Sequence, residues 1–328
     1  AIKTGSVNGQ IESLYLRSYM HGQSSELTEC YDCAEKAVEL ARPLNTTEVK
    51  LKAYEVYGAG HYQLGLMRSA IPVSTQLLEL AQEAGSKEAE LVAHYQLCGL
   101  YYYSNEFKKA VDFGQLPIQQ AERFGFIRAA ILGNEFASRS FVALGMYEEA
   151  RQCAENSLRI AETASMRARI ALAFVRLSEV DRLEGSPSST IPAERAVELA
   201  DSAYIQPWAL ASAAISSDST STKFELFAAA DRLLETQTCT GHNHFHVREL
   251  QIEDALARGD WDAMETAAER LEAFARPEPL PWTEFQVKRS RVIAKWGRKE
   301  QDEVYDSQLA GLVDMRRSSG MKIWLPGD

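Results

Sequence analysis

The chain has 328 residues, of which 45% are hydrophobic and 25% are charged, and this is the composition of a globular protein. Its formal net charge is −11, and because no local basic stripe offsets that charge, we expect no nucleic-acid partner. The sequence contains no apolar run of about eighteen residues and no secretory signal, and its five cysteines form no disulfide framework, so we expect no membrane span and a cytoplasmic location.

Residues 1–24 are predicted to form a capping helix ahead of a repeat that covers residues 25–185. The repeat is visible when the chain is aligned with itself at an offset of 40 residues. One column of that alignment contains Ser25, Gly65, Asn105, Gly145 and Gly185, and the column five residues later contains Cys30, Ala70, Ala110 and Ala150. Self-similarity at this period is typical of a solenoid, in which each unit packs only on its neighbours.

Each unit is predicted to be a helical hairpin. From the alanine column onward, small or apolar residues recur at a spacing that places them on one face of a 3.6-residue helix. The glycine column then marks the turn between two helices, where a left-handed backbone costs glycine little. In this register Cys30 and Cys33 occupy buried packing positions, so we interpret the Cys-x-x-Cys spacing as packing rather than as a redox or metal motif.

Two features interrupt the pattern. Pro117 falls inside a predicted second helix, where it removes a backbone hydrogen bond and is expected to kink the helix. Residues 186–240 are predicted to form irregular repeats, because they contain the Ser/Pro-rich loop "EGSPSSTIPAERAVELA" and the low-complexity turn "ISSDSTSTKFELF".

Residues 241–328 are predicted to form the C-terminal repeats and a cap. Gly259 and Trp261 restore the spacing of the earlier turns, and the last hairpin is expected to turn at Gly297. No stretch of useful length alternates with a period of two, so no strand is predicted.

The stretch "CTGHNHFHVREL" contains Cys239, His242, His244 and His246. His242 and His246 are four residues apart and could share a helix face, as two zinc ligands do, with Cys239 or a distant carboxylate as a third. No glutamate follows the first histidine, so the metalloprotease pattern fails, and we favour a helix N-terminus near His244 that is capped by Asn243 or a nearby threonine. A metal-dependent hydrolase on Cys239, His242 and His246 stays as an alternative, while our main prediction has no metal, no cofactor and no catalytic residue.

The turn pattern Gly-x-aromatic-x-x-Ala between paired helices resembles the tetratricopeptide repeat, over roughly residues 25–320. The segment from "GHNHFHVRELQIEDALARGDW" to "EPLPWTEFQVKRSRVIAKWG" is similar to the C-terminal helical-repeat region of bacterial adenylate/guanylate cyclase–ATPase signalling proteins. This resemblance implies a sensor, scaffold or regulatory region rather than a catalyst. The sequence contains no phosphate-binding loop of the Gly-x-x-x-x-Gly-Lys-Ser/Thr type.

In tetratricopeptide geometry the first helices of the hairpins line a concave groove. Carried over to this chain, the resemblance implies a groove that contains Tyr62, Tyr95, Tyr102, Tyr103, Glu135, Arg139, Arg176 and Arg182. Aromatic and arginine side chains dominate binding energy at interfaces, and this set suits an extended peptide or a ligand that carries a carboxylate.

The prediction is therefore an all-α, right-handed superhelical solenoid of about seven or eight helical hairpins, continuous over residues 1–328. Its predicted function is protein or peptide binding on the concave face, within a bacterial signalling protein. A small-ligand sensor is the alternative among binding proteins.

Overall fold

The computed structural model describes residues 6–186 and 189–328, and all of the regular elements in these ranges are helices. The α-helices are α1 (Val7–Gln23), α2 (Leu27–Ala41), α3 (Thr47–Leu64), α4 (Met67–Ala84), α5 (Lys87–Tyr103), α6 (Phe107–Leu116), α7 (Ile127–Ala143), α8 (Tyr147–Thr163), α9 (Arg167–Leu183), α10 (Thr190–Leu199), α11 (Gln206–Ser216), α12 (Thr220–Thr236), α13 (Gly241–Arg258), α14 (Trp261–Ala275), α15 (Pro281–Arg298) and α16 (Glu303–Ser319). None of them, within the described ranges, combines the length and apolarity that a membrane crossing requires. The first five residues of the predicted cap, and residues 187–188 of the predicted loop, lie outside these ranges.

The helices form a solenoid of paired helices. Each helix packs on the next, and the odd-numbered helices from α1 to α15 also pack on one another in an inner layer. The even-numbered helices cover that layer from outside. The sixteen helices of the described ranges make eight pairs, which confirms the predicted all-α solenoid and its number of hairpins.

The predicted turn column forms the turns between paired helices. Its members Ser25, Gly65, Asn105, Gly145 and Gly185 all have a positive φ, between 59° and 84°. The alanine column lies in the core as predicted: Cys30 is 3% exposed and its three alanine counterparts are fully buried. Burial raises the pKa of the Cys30 thiol, which suits a packing residue.

The last hairpin does not turn at Gly297, so that prediction is wrong. Gly297 lies within α15, and the chain turns at Lys299, which has a φ of 61°. The glycine is required by packing, because a Cβ atom at this position would lie 2.2 Å from Cε2 of Trp261 on α14.

Pro117 disturbs its helix without ending it. After α6 the chain continues as a π-helical turn, Pro117–Ala121, and such a turn accommodates an irregular hydrogen-bonding pattern. Gly133 on α7 leaves room for the proline ring, since a Cβ atom at Gly133 would lie 2.5 Å from Cβ of Pro117.

The C-terminal repeats pack on N-terminal ones, which the sequence did not predict. Helix α13 contacts α3, and α15 contacts α5. Gly241 packs directly on Gly65, where a Cβ atom on Gly241 would lie 2.6 Å from the Cα atom of Gly65. Phe245 and Trp282 join Tyr103 in one hydrophobic core cluster. The inner faces of the odd-numbered helices therefore enclose an interior instead of bordering an open groove.

Candidate binding site

The residues predicted for the groove all lie on inner helices α3, α5, α7 and α9. Six of them are buried, namely Tyr95, Tyr102, Tyr103, Glu135, Arg139 and Arg176. Tyr62 and Arg182 are half-buried. The structure brings these residues into the enclosed interior, where they contact one another and residues of α11, α13 and α15.

Arg139 is at the centre of this interior. Its guanidinium carbon lies 4.0 Å from the centre of the Tyr102 ring, and its Nη1 donates to the Tyr103 hydroxyl at 3.3 Å. A second guanidinium nitrogen donates to Nε2 of His246. Because Nε2 accepts, the proton of the ring is on Nδ1, which donates to Oε2 of Glu249 at 2.9 Å. Burial and neighbouring arginines lower the pKa of His246 well below its usual value, so the ring is neutral.

Tyr103 contacts the walls of two cavities of this interior. Its ring contacts Tyr102, which lines the first cavity, and Tyr62, which lines the second. Phe136 and His242 pack against Tyr62 from the other sides.

Cavity A is the larger of the two, with a volume of about 130 Å³, and it is partly open. Its wall comes mainly from α5, α7, α9, α13, α15 and the chain after α16. The aromatic residues of the wall are Tyr102, Phe107, Tyr147, Trp282 and Phe285. The charged residues are Arg139, Glu179, Arg182, Glu249, Glu253 and Lys322.

Glu249 is the carboxyl group of cavity A that is most affected by its surroundings. Burial, together with the nearby carboxylates Glu179 and Glu253, raises the pKa of Glu249 to about 8. Those two neighbours are paired elsewhere, Glu179 with Arg176 at 2.5 Å and Glu253 with Arg289. Glu249 instead faces a neutral imidazole, so near neutral pH it is largely protonated.

Cavity B has a volume of about 60 Å³ and lies between α1, α3, α5, α7 and α9. Its polar wall consists of Tyr62, Gln63, Tyr95, Gln96, Arg128, Arg169 and Tyr204. The rest of the wall is apolar or glycine, from Gly22, Gly58, Ala59, Leu100, Leu132 and Phe136.

The histidine stretch forms a structural junction. Thr240 is the N-cap residue of α13, so the helix begins three residues before the predicted start at His244, and the Thr240 side chain makes no capping bond. Nε2 of His242 donates to the backbone oxygen of Tyr204 at 2.8 Å, and the amide of Asn243 donates to the same oxygen at 3.0 Å. These bonds attach the start of α13 to the turn before α11.

The structure does not assemble the alternative hydrolase centre. The thiol of Cys239 donates to the backbone oxygen of Leu233 at 3.5 Å, and Nε2 of His246 is occupied by Arg139 and Tyr103. Within residues 6–186 and 189–328, no group of three or more histidine, cysteine, aspartate or glutamate side chains is arranged to hold a metal ion. Burial lowers the pKa of His242 to about 3, in keeping with a core imidazole.

Sequence reasoning missed the half of the site that lies on α13 and α15. Glu249, Glu253, Trp282 and Gln286 reach cavity A only because these helices close onto α3 and α5. One signal was available: His242, His246, Glu249 and Glu253 recur at helical spacing, which places a polar stripe along one face of α13. Arg128, Arg169 and Tyr204 of cavity B were missed as well.

Comparison with solved structures supports the repeat architecture. A Rap protein complexed with Competence and Sporulation Factor aligns over 95% of this chain and 99% of its own, with a TM-score of 0.64 and 8% identity. The apo form of RapI aligns over 89% of this chain and 99% of its own, with a TM-score of 0.54 and 13% identity. A tetratricopeptide repeat protein from Parabacteroides merdae ATCC 43184 covers 86% of this chain and 99% of its own at a TM-score of 0.44 and 14% identity.

The chain shares its helical-repeat fold with the Rap protein and with RapI. At such low identities the likeness concerns the fold alone. No family model and no curated protein matches the sequence.

Proposed function

We propose that the chain is a non-catalytic binding protein that holds an extended protein or peptide segment in cavity A. The observation that carries this proposal is a partly open cavity with a wall of aromatic rings and charged groups from five inner helices. Such a wall provides the large apolar contacts and the fixed polar partners that peptide recognition uses. The fold adds support, since a Rap protein of this fold has been crystallised in complex with Competence and Sporulation Factor.

Arg182 gives the cavity a free hydrogen-bond donor. Its side chain is half-buried in the wall of cavity A, and in the described part of the chain it makes no hydrogen bond or ion pair. A guanidinium can bind a carboxylate or a peptide carbonyl with two N–H groups at once. Arg139 is a poorer candidate for direct contact, because Tyr103, His246 and the ring of Tyr102 already surround it.

A selection from a display library of random hexapeptides against the full chain tests the proposal. Peptides recovered in this way are expected to bind about tenfold more weakly to Arg182→Ala and to Tyr147→Ala, which is a typical loss for a contact residue. Arg317→Ala is the matched control, because Arg317 is exposed on α16 and does not line cavity A. The proposal fails if the library yields no binder, or if calorimetry gives the same Kd for all three variants.

We further propose that this binding regulates a cyclase or ATPase in a bacterial cytoplasmic signalling protein. The support is the resemblance of residues 240–300 to the repeat regions of such proteins. Sequencing of the encoding gene and its neighbours tests the proposal, because a cyclase or ATPase segment joined to this chain is expected. If such a segment is found, its activity is expected to change when a cavity A peptide is added.

A further inference from the structure

Cavity B contains a buried hydrogen-bond donor without a partner. The hydroxyl of Tyr95 is buried in its wall and makes no hydrogen bond in the described part of the chain, although Tyr95 is only 4% exposed. The side chain of Arg128 is 36% exposed and forms an ion pair with Oε1 of Glu55 at 3.7 Å, but it donates no hydrogen bond within the described ranges. A buried donor is almost always satisfied in folded proteins, so the unpaired hydroxyl of Tyr95 points to a missing acceptor, which the guanidinium of Arg128 in the same cavity wall can also bind.

The second arginine of this cavity is also incompletely paired. Nη1 of Arg169 donates to the Tyr204 hydroxyl at 2.8 Å, but it lies 3.6 Å from Oε2 of Glu135, and that oxygen has no hydrogen-bond partner among the described residues. Burial raises the pKa of Glu135, and burial likewise raises the pKa of Glu55. Arginine keeps its positive charge at every physiological pH.

The remaining wall of cavity B suits a short apolar group. Leu100, Leu132, Phe136 and Ala59 line the cavity together with its polar residues. A volume of about 60 Å³ gives room for a group the size of several water molecules, since one water needs roughly 10–15 Å³. The amide of Gln63, whose oxygen also lacks a partner, can rotate to present its NH₂ group to an acceptor.

We propose that cavity B binds a carboxylate on a short apolar group, with the carboxylate held by Arg128 and Tyr95. The apolar group lies against Leu132 and Phe136. A free short-chain acid and the C-terminal residue of a peptide both carry this chemistry. This site is separate from the peptide site that we propose in cavity A, because the two cavities share no lining residue.

Titration calorimetry of the full chain with isovalerate tests the site, with isovaleramide as the neutral compound of the same shape. Isovalerate is expected to bind about tenfold or more tightly than the amide, because only the acid brings a negative charge that pairs with Arg128. An N-acetylated tripeptide ending in leucine, and the same peptide with an amidated C-terminus, distinguish a peptide C-terminus from a free acid as the source. Inorganic phosphate that binds as tightly as isovalerate would overturn the proposal, since the apolar wall would then contribute nothing.

Tyr95→Phe separates a binding role from a structural one. The substitution removes only the hydroxyl, and because this hydroxyl makes no hydrogen bond, the Tm is expected to stay the same or to rise. The affinity for isovalerate is expected to fall about tenfold. Arg128→Gln is expected to reduce the affinity at least as much. Tyr101→Phe is the matched control on the same helix, because Tyr101 packs with Leu97 and Ala110 outside both cavities.

The carboxylate site is excluded if isovalerate does not bind, or if Tyr95→Phe and Arg128→Gln bind it as the wild type does. Binding of the selected hexapeptides is a separate measurement, because their affinity is expected to fall in Arg182→Ala and to stay unchanged in Tyr95→Phe. A failure of one site therefore leaves the result for the other intact.

Discussion

At the scale of single residues, the surroundings of Glu249 disfavour the charged form of its carboxyl group. Arg139 and Arg176 favour the carboxylate, but burial and the carboxylates Glu179 and Glu253 outweigh them, so the pKa is raised to about 8 from the ordinary value of 4.5. The unfolded chain loses this proton near pH 4.5, whereas the folded chain retains it to about pH 8. The free energy of unfolding should therefore fall as the pH rises through this interval.

Glu249→Gln removes that pH dependence. A glutamine is neutral at every pH, and its oxygen can still accept the Nδ1 proton of His246. We expect the variant to be about as stable as the wild type at pH 5 and more stable at pH 8, by a few kcal/mol, since one pKa unit is worth about 1.4 kcal/mol. Urea denaturation at the two pH values measures the difference. Glu155→Gln, at an exposed position on α8, is expected to show no such dependence, and an equal effect of Glu249→Gln at both pH values would contradict the reasoning.

At the scale of helices, several glycines serve as contact surfaces. Gly297 in α15 accepts the ring of Trp261, and Gly133 in α7 accepts Pro117. In a helix interior an alanine is normally the more stable residue by about 1 kcal/mol, so a glycine at these positions costs stability unless a close neighbour requires it. Whether a change from glycine to alanine stabilises or destabilises the protein therefore depends on the neighbouring atoms.

Gly297→Ala is expected to destabilise the chain by about 2 kcal/mol, because overpacking commonly costs about 1–3 kcal/mol and outweighs the helix propensity of alanine. The new Cβ atom would overlap ring atoms of Trp261 at 2.2–2.8 Å. Gly311→Ala is the matched control, because a Cβ atom at Gly311 on α16 would have no neighbouring atom within 4 Å, and there the propensity gain should dominate. A stabilising Gly297→Ala in thermal denaturation would show that the indole ring moves away easily.

The repeats could be predicted from the sequence because interactions within one helical hairpin determine them. The positive φ at Gly65 and Asn105, and the burial of Cys30, follow from turn chemistry and helical spacing within one unit. The predicted turn at Gly297 was wrong because a glycine can equally serve a contact on another helix. That contact, with Trp261, is not visible in the local spacing.

At the scale of the whole molecule, the closure of the solenoid creates both cavities. Contacts between neighbouring helices repeat regularly, but the contact of Gly65 with Gly241 joins residues far apart in the sequence. No repeat period contains information about such a contact, so the sequence predicted an open groove and omitted Glu249 and Trp282 from it. The eight predicted groove residues lie on inner helices, while their binding role stays a prediction.

The same closure makes us propose that residues 1–328 form one continuous unit. In an open solenoid each unit is stabilised only by its neighbours, and distant repeats can unfold separately. Here α13 is anchored on α3 and α15 on α5, which links the C-terminal helices to the N-terminal ones. Wild-type protein should therefore show similar protection from hydrogen exchange in α3, α5, α13 and α15.

Gly241→Ala tests this link, because its Cβ atom would lie 2.6 Å from both N and Cα of Gly65, and backbone atoms cannot move aside as a side chain can. We expect α13 to move away from α3, the amides of α13 to α16 to exchange at least tenfold faster than those of α3, and isovalerate and peptide binding to weaken together. Gly9→Ala is the control in α1, where the nearest atom would be 3.9 Å away. If Gly241→Ala leaves exchange uniform along the chain, the ends of the solenoid are not coupled through this contact, and the enclosed interior does not depend on it.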